Sequence, residues 1–283
     1  MCARRVRVTS GELKQILNGK TAFGSRDSFT LQREKKMDLN GKVAIVTGGA
    51  GGLGRRICLA LDRAGCRVAV LHNRPGEEKG AIEFAAGLKD AKPFFVELRD
   101  PVSVNAMVAS VHEAFGRVDI LVNDAAFNKF IAFDDLDSLT FEIWEKILDI
   151  NLNGPMRCIK AVAPLMKQVG GGRIVNISST AGFGPSGSSI PYATSKAGLN
   201  HLTKCFAVGL APTILVNGVA PGFIEGTHMT EQLDPEYVKV AKDIVALKRA
   251  ADKDDIAKQV VLCCETDIMT GQTVVVDGGR YFR

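Results

Sequence analysis

The chain holds no run approaching the roughly 18 unbroken apolar residues of a membrane-spanning helix. Its first residues also lack the apolar stretch of a secretory signal. A protein in solution inside a cell is expected, cytoplasmic, or organellar if the N-terminal segment is a transit peptide. Cysteine pairs of the CxxC kind are missing too. The seven cysteines (Cys2, Cys58, Cys66, Cys158, Cys205, Cys263 and Cys264) form no metal-like grouping with histidine, so no metal site is expected. Adjacent Cys263 and Cys264 are poorly placed to bridge each other, and buried reduced thiols are the expectation. Internal repeats and low-complexity tracts are likewise absent. An excess of one charge is lacking over most of the chain: the net charge is +5, but residues 1–36 carry nine Lys/Arg against three Asp/Glu, a net of +6. The other 247 residues are therefore close to neutral at −1. Neither a nucleic-acid nor a membrane partner is expected.

What is present is a chain of 283 residues, 46% hydrophobic and 24% charged, long enough to bury a sizeable core. Residues 1–36 show weak periodicity and read as a flexible or targeting leader, dispensable for fold and catalysis. From Lys42 onward, short β-branched runs alternate with longer helical patterns. KVAIVT (42–47), RVAVLH (67–72), KPFFVEL (92–98), VDILVN (118–123), GRIVNIS (172–178), ILVNGVA (214–220) and QTVVVD (272–277) read as seven buried strands. The segments between them are long enough for crossover helices. The expected class is α/β: a single doubly wound Rossmann domain over residues 37–283 with a seven-stranded parallel sheet.

The first strand runs into Thr47-Gly48-Gly49-Ala50-Gly51-Gly52-Leu53-Gly54 and then a helical pattern. Glycines at a strand-to-helix turn let backbone amides approach a pyrophosphate, whose charge is stabilised by the helix end. Opening the first βα unit, this is the context of a dinucleotide site, with Gly48, Gly52, Leu53 and Gly54 as its residues. Further on, Tyr192 and Lys196 are separated by four positions and share one helix face. An ammonium beside a phenol is expected to lower its pKa from about 10, so that tyrosine can act as general acid or base.

Those motifs carry a resemblance. Over residues 38–279 the chain resembles the classical short-chain dehydrogenase/reductase family: TGxxxGxG is Thr47 to Gly54, YxxxK is Tyr192 to Lys196, and Ser179 lies 13 positions before Tyr192. The family's helix-four asparagine matches Asn151, and its Pro-Gly turn after the sixth strand matches Pro221-Gly222. The resemblance implies a hydride-transferring oxidoreductase acting on a small carbonyl or alcohol. In it Ser179 holds the substrate oxygen, with Ser178 as competing assignment, and Tyr192 moves the proton. Lys196 also binds the nicotinamide ribose, and Asn151 holds a relay water. It also implies that Glu97 and Leu98 meet the adenine, that Asn123 and Ala125 support the cofactor, and that Pro221, Gly222 and Ile224 flank it. The chain departs from the pattern at Asp124, where many members have Asn, and at Thr227, which arrives one residue late. The family usually assembles as tetramers, so a homo-oligomer, tetramer or dimer, is expected.

Cofactor choice is read at the end of the second strand, where NAD-selecting chains carry an acid for the ribose hydroxyls. Here His72, Asn73 and Arg74 stand there, with no carboxylate to repel a 2′-phosphate and a guanidinium to pair with it. NADP(H) is the expected preference, with NAD(H) usable. Two other readings stand: a 3-oxoacyl-carrier-protein reductase, and a nucleotide-binding sensor or scaffold without turnover. An acidic carrier calls for a basic patch near the site. The substrate lid implied by the resemblance, 224–250, mixes Glu225, Glu231, Asp234 and Glu236 with Lys239, Lys242 and Lys248.

Overall fold

The computed structural model describes residues 37–73, 76–227, 230, 231 and 233–282. The readings of 1–36 and of Arg74 lie outside the described residues. Seven parallel strands form one sheet: β1 (Val43–Thr47), β2 (Arg67–His72), β3 (Ala91–Phe95), β4 (Ile120–Asn123), β5 (Gly172–Ile177), β6 (Ile214–Pro221) and β7 (Thr273–Val276). Their spatial order is β3-β2-β1-β4-β5-β6-β7. The order reverses between β1 and β4, and at such a switch point the strand ends part to leave a crevice.

The helices are α1 (Gly52–Arg63), α2 (Glu77–Ala86), α3 (Pro101–Phe115), α4 (Phe141–Leu148), α5 (Gly154–Gln168), α6 (Ile190–Leu210), α7 (Pro235–Asp243) and α8 (Lys253–Glu265). A π turn over Asp149–Asn153 joins α4 to α5. Helix starts follow local chemistry: Asp100 caps Val102 N–H ahead of Pro101, and Asp252 caps Asp254 and Asp255 N–H. Two apolar layers cover the sheet. Ile57, Leu61, Val260 and Cys264 of α1 and α8 pack on one face, and Val108, Val111, Ile159 and Met166 of α3 and α5 on the other.

Two expectations are corrected. The strands are not all buried: β3 and β7 form the sheet edges and are half-exposed, with Phe95 at 58%. β3 also stops at Phe95 instead of reaching residue 98, because it has only β2 to pair with and the chain turns away into the Asp100 cap. Among the described residues the thiols are free and mostly buried as expected, but Cys205 is exposed. Among the described residues no helix is long and apolar enough to cross a membrane, and no group of His, Cys, Asp or Glu is gathered to hold a metal.

Candidate active site

The site opens at the carboxyl ends of the central strands. The turn after β1 places Gly48 at φ +67°, a left-handed conformation that favours glycine. A Cβ on Gly48 would meet Ala125 Cα at 3.1 Å, and one on Gly54 would lie 2.1 Å from Gly48 O. The turn is thus packed too closely for any side chain at Gly54, which supports the loop from beneath. No side chain caps the first turn of α1 and no acidic residue stands in it. Its amide groups and positive dipole end face a cavity of about 300 Å³ lined by Gly48, Gly51, Gly52 and Leu53. This is a cradle for a phosphate group, and a nicotinamide dinucleotide fits it.

The same cavity is lined by Ser179, Tyr192 and Lys196. Ser179 precedes a 3₁₀ turn, Thr180–Phe183, and accepts a hydrogen bond from Ala181 N–H at 3.1 Å, while its hydroxyl also bonds the Tyr192 phenol. Ser178 is turned the other way, its hydroxyl donating to Lys196 O at 3.3 Å. Geometry therefore puts Ser179, not Ser178, beside the phenol. Lys196 Nζ lies 5.7 Å from the Tyr192 ring centre and donates to Ile177 O at 2.8 Å.

The expected lowering of the phenol's pKa is not what the structure gives. Burial pushes Tyr192 up to about 12, Ser179's hydrogen bond pulls the other way, and the Asp124 carboxyl adds to the rise. Desolvation is the largest of these effects, so the phenol is held protonated. Burial also drives Lys196 down to about 8, opposed by Asp124. Asp124, in the wall of the same cavity, is raised to about 7 by desolvation, with Lys196 drawing it down. Its backbone N–H donates to Thr47 Oγ1 at 3.0 Å, as does that of Ala125 at 3.1 Å. The consequence of an acid at this position was not legible in the sequence; it is an ionisable neighbour for both Tyr192 and Lys196.

Asp124→Asn is expected to remove that neighbour. Lys196 then loses its proton at a lower pH than about 8, because the charge that favoured its ammonium is gone. The alkaline limb of kcat/KM should move to lower pH relative to wild type. A limb that stays in place in a full pH profile would show that Asp124 does not act on Lys196.

Several assigned residues fall elsewhere. Asn151 is 1% exposed and outside the cavity: its amide nitrogen donates to Phe127 O and Ser195 Oγ, and its oxygen accepts from Phe127 N–H. Each polar atom of that side chain already has a protein partner. It pins the 125–128 segment to α6. Asn123 is also buried and binds no cavity, donating to Asn176 Oδ1 at 2.8 Å to tie β4 to β5. Gly54 packs under the turn and does not line the cavity. Glu97 and Leu98 line a second, adjoining cavity of about 850 Å³ that shares Asn73, Ala125 and Ala126 with the first. The Glu97 carboxylate is held low by its hydrogen bonds with Arg99, and Leu98 O is taken by Arg157. By contrast His72, Asn73, Ala125, Pro221, Gly222 and Ile224 line the first cavity. His72 Nδ1 is buried without a hydrogen-bond partner among the described residues. Sequence reasoning missed Glu77, a carboxylate in the same wall one helical start beyond His72, and passed over Thr227, which also lines it.

Compared with known proteins, the short chain dehydrogenase model matches residues 42–238. The chain belongs to the short chain dehydrogenase family. The relatives of this dehydrogenase agree over nearly their whole length. A putative ketoacyl reductase 2 of granaticin polyketide synthase from Streptomyces violaceoruber is 35% identical, covering 84% of this chain and 96% of its own. Human dehydrogenase/reductase SDR family member 4 is 36% identical over 85% and 88%. The 3-oxoacyl-[acyl-carrier-protein] reductase of Aquifex aeolicus is 34% identical over 87% and 100%. Among solved structures, an RhlG/NADP active-site complex from Pseudomonas aeruginosa superposes with a TM-score of 0.78 at 27% identity, covering 87% of this chain and 99% of that one. This short chain dehydrogenase is an NAD(P)-dependent oxidoreductase, which sets aside the reading as a sensor without turnover.

Proposed function

We propose that the chain reduces ketones to secondary alcohols, with NADP(H) preferred. The observation that carries this is the Tyr192 phenol, held protonated at about 12 beside Ser179 in the cavity that also holds the phosphate cradle. A phenol that keeps its proton is poised to donate it to a developing alkoxide, the general-acid half of carbonyl reduction. When bound, the nicotinamide cofactor supplies the hydride. Ser179 orients the carbonyl oxygen toward the phenol, and Lys196, tethered to Ile177 O, keeps a cation below the ring. The cradle of Gly48, Gly52 and Leu53 holds the pyrophosphate, while His72 and Asn73 face the adenosine ribose.

NADP(H) preference draws on the absence of an acid at the end of β2 itself and on the NADP carried by the Pseudomonas relative. Glu77 in the cavity wall weighs against it, which is why NAD(H) stays usable. A panel of ketones scored for nicotinamide absorbance change, with NADPH and NADH in parallel, tests the whole reading. Arg74→Ala is expected to raise KM for NADPH about tenfold or more and KM for NADH far less, in keeping with a lost charged hydrogen bond. Equal losses for both cofactors, or a wild type faster with NADH, would reverse the preference.

Relatives named as acyl-carrier reductases keep that substrate in view, but the lid offers an acidic carrier little. Lys242 pairs with Glu225 at 2.6 Å, Lys239 faces Glu236 at 4.0 Å, and Lys248 donates to Asp243 O. We favour free small carbonyls, in a cytoplasmic dimer or tetramer. Exposed Phe141 and Val208, at 87% and 82%, supply apolar surface for such an assembly.

A further inference from the structure

The cavity continues past Tyr192 to a mouth formed by elements far apart in the chain. Its apolar wall is an edge-to-face series: Phe130 to Tyr237 at 6.0 Å between ring centres, and Tyr237 to Phe223 at 6.4 Å. The same cavity is also lined by Arg280, four residues beyond β7.

Arg280 is held by a built turn. Gly278 and Gly279 are left-handed at φ +69° and +83°, which only glycine adopts without strain. The nearly buried Asp277 carboxylate accepts from Gly279 N–H at 2.8 Å and from Tyr281 N–H at 2.9 Å, clamping the backbone on both sides of Arg280. Leu247 and Ala246 N–H donate to Gly278 O and Gly279 O, and Tyr281 shares a hydroxyl hydrogen bond with Ser186 at 2.8 Å. The guanidinium lies 5.6 Å from the Tyr281 ring centre, and no carboxylate among the described residues pairs with it. A fixed backbone, a stacked guanidinium and an open fork of donors together make an anion receptor.

The sheet order shows that this receptor is not for the cofactor's adenosine end. β2, which ends at His72 just before Asn73, stands five strand positions from β7, about 24 Å at the usual spacing. Arg280 therefore serves whatever enters from the far side of Tyr192. We propose that Arg280 selects the substrate, a ketone with an aromatic or aliphatic body and a carboxylate beyond it. One planar fork bearing one charge matches a carboxylate; a phosphate ester, with near-double charge, calls for a second cation, and the lysine of this cavity, Lys196, is tied to Ile177 O beside Tyr192.

This inference rests on the ketone-reductase reading for its orientation, so its test is binding and not turnover. Calorimetry in the presence of NADP⁺ with 4-phenylbutanoate and with 4-phenylbutanamide, which carry no reducible ketone, should show the acid bound at least about tenfold more tightly than the amide. Arg280→Gln should close that gap, and Arg280→Lys should keep part of it, with the melting temperature of each variant reporting an intact fold. Equal affinity of acid and amide for the wild type, or a gap that survives in Arg280→Gln, overturns the assignment. So does tighter binding of 3-phenylpropyl phosphate than of the acid. Failure of the ketone panel with these binding results intact would instead count against the reductase reading alone.

Discussion

Tyr192→Phe should cut kcat for ketone reduction by about 100-fold or more while leaving cofactor affinity near wild type. The substitution removes one oxygen and keeps the ring. What surrounds that ring does not depend on the hydroxyl: Lys196 Nζ stays anchored to Ile177 O at 2.8 Å, and Ser179 keeps its bond from Ala181 N–H. The phosphate cradle is contributed by a different strand and helix and is untouched. The proton donor and its hydrogen bond with Ser179 are what is lost. A Phe variant with wild-type kcat in single-turnover and steady-state assays would overturn the assignment of Tyr192, and a parallel loss of cofactor binding would show that the hydroxyl has a structural role instead.

Gly54→Ala should lower dinucleotide affinity by about 100-fold, and cost about 1–3 kcal/mol of stability through overpacking. A Cβ there would sit 2.1 Å from Gly48 O, 2.7 Å from Gly48 C and 2.8 Å from Gly49 Cα, all backbone atoms. No rotamer can relieve a clash with backbone, so the turn between β1 and α1 must open and its amide groups lose their common aim. Gly209→Ala, in α6 with nothing within 4 Å of its Cβ, is the matched control and should be neutral or stabilising by up to about 1 kcal/mol, the helix preference of alanine over glycine. Cofactor titration and thermal melts of both variants decide the matter. Wild-type affinity in Gly54→Ala would mean that the turn is looser than its packing implies.

Residues near one another in sequence announced the framework by themselves. Runs of β-branched residues such as 43–47 and 67–72 can only be covered on both faces, the glycine string after β1 leaves the backbone bare at a helix start, and a spacing of four puts Tyr192 and Lys196 on one side of α6. These are short-range facts, set by backbone geometry and periodicity, and so they survive in the linear text. Edge position is different in kind: β3 reads like a central strand, and only the pairing order exposes it. The same holds for the site's electrostatics. Whether Lys196 or burial governs the Tyr192 phenol depends on how much low-dielectric protein encloses both, a property of the packed cavity and not of the YxxxK spacing. Asn151 and Asn123 looked like ligands by position, but their partners Phe127, Ser195 and Asn176 arrive from other elements and hold their amide nitrogens. Glu77, Asp124 and Arg280 line one cavity because a parallel sheet gathers the carboxyl ends of strands distant in sequence, and no local pattern in the chain records which of those ends will face each other.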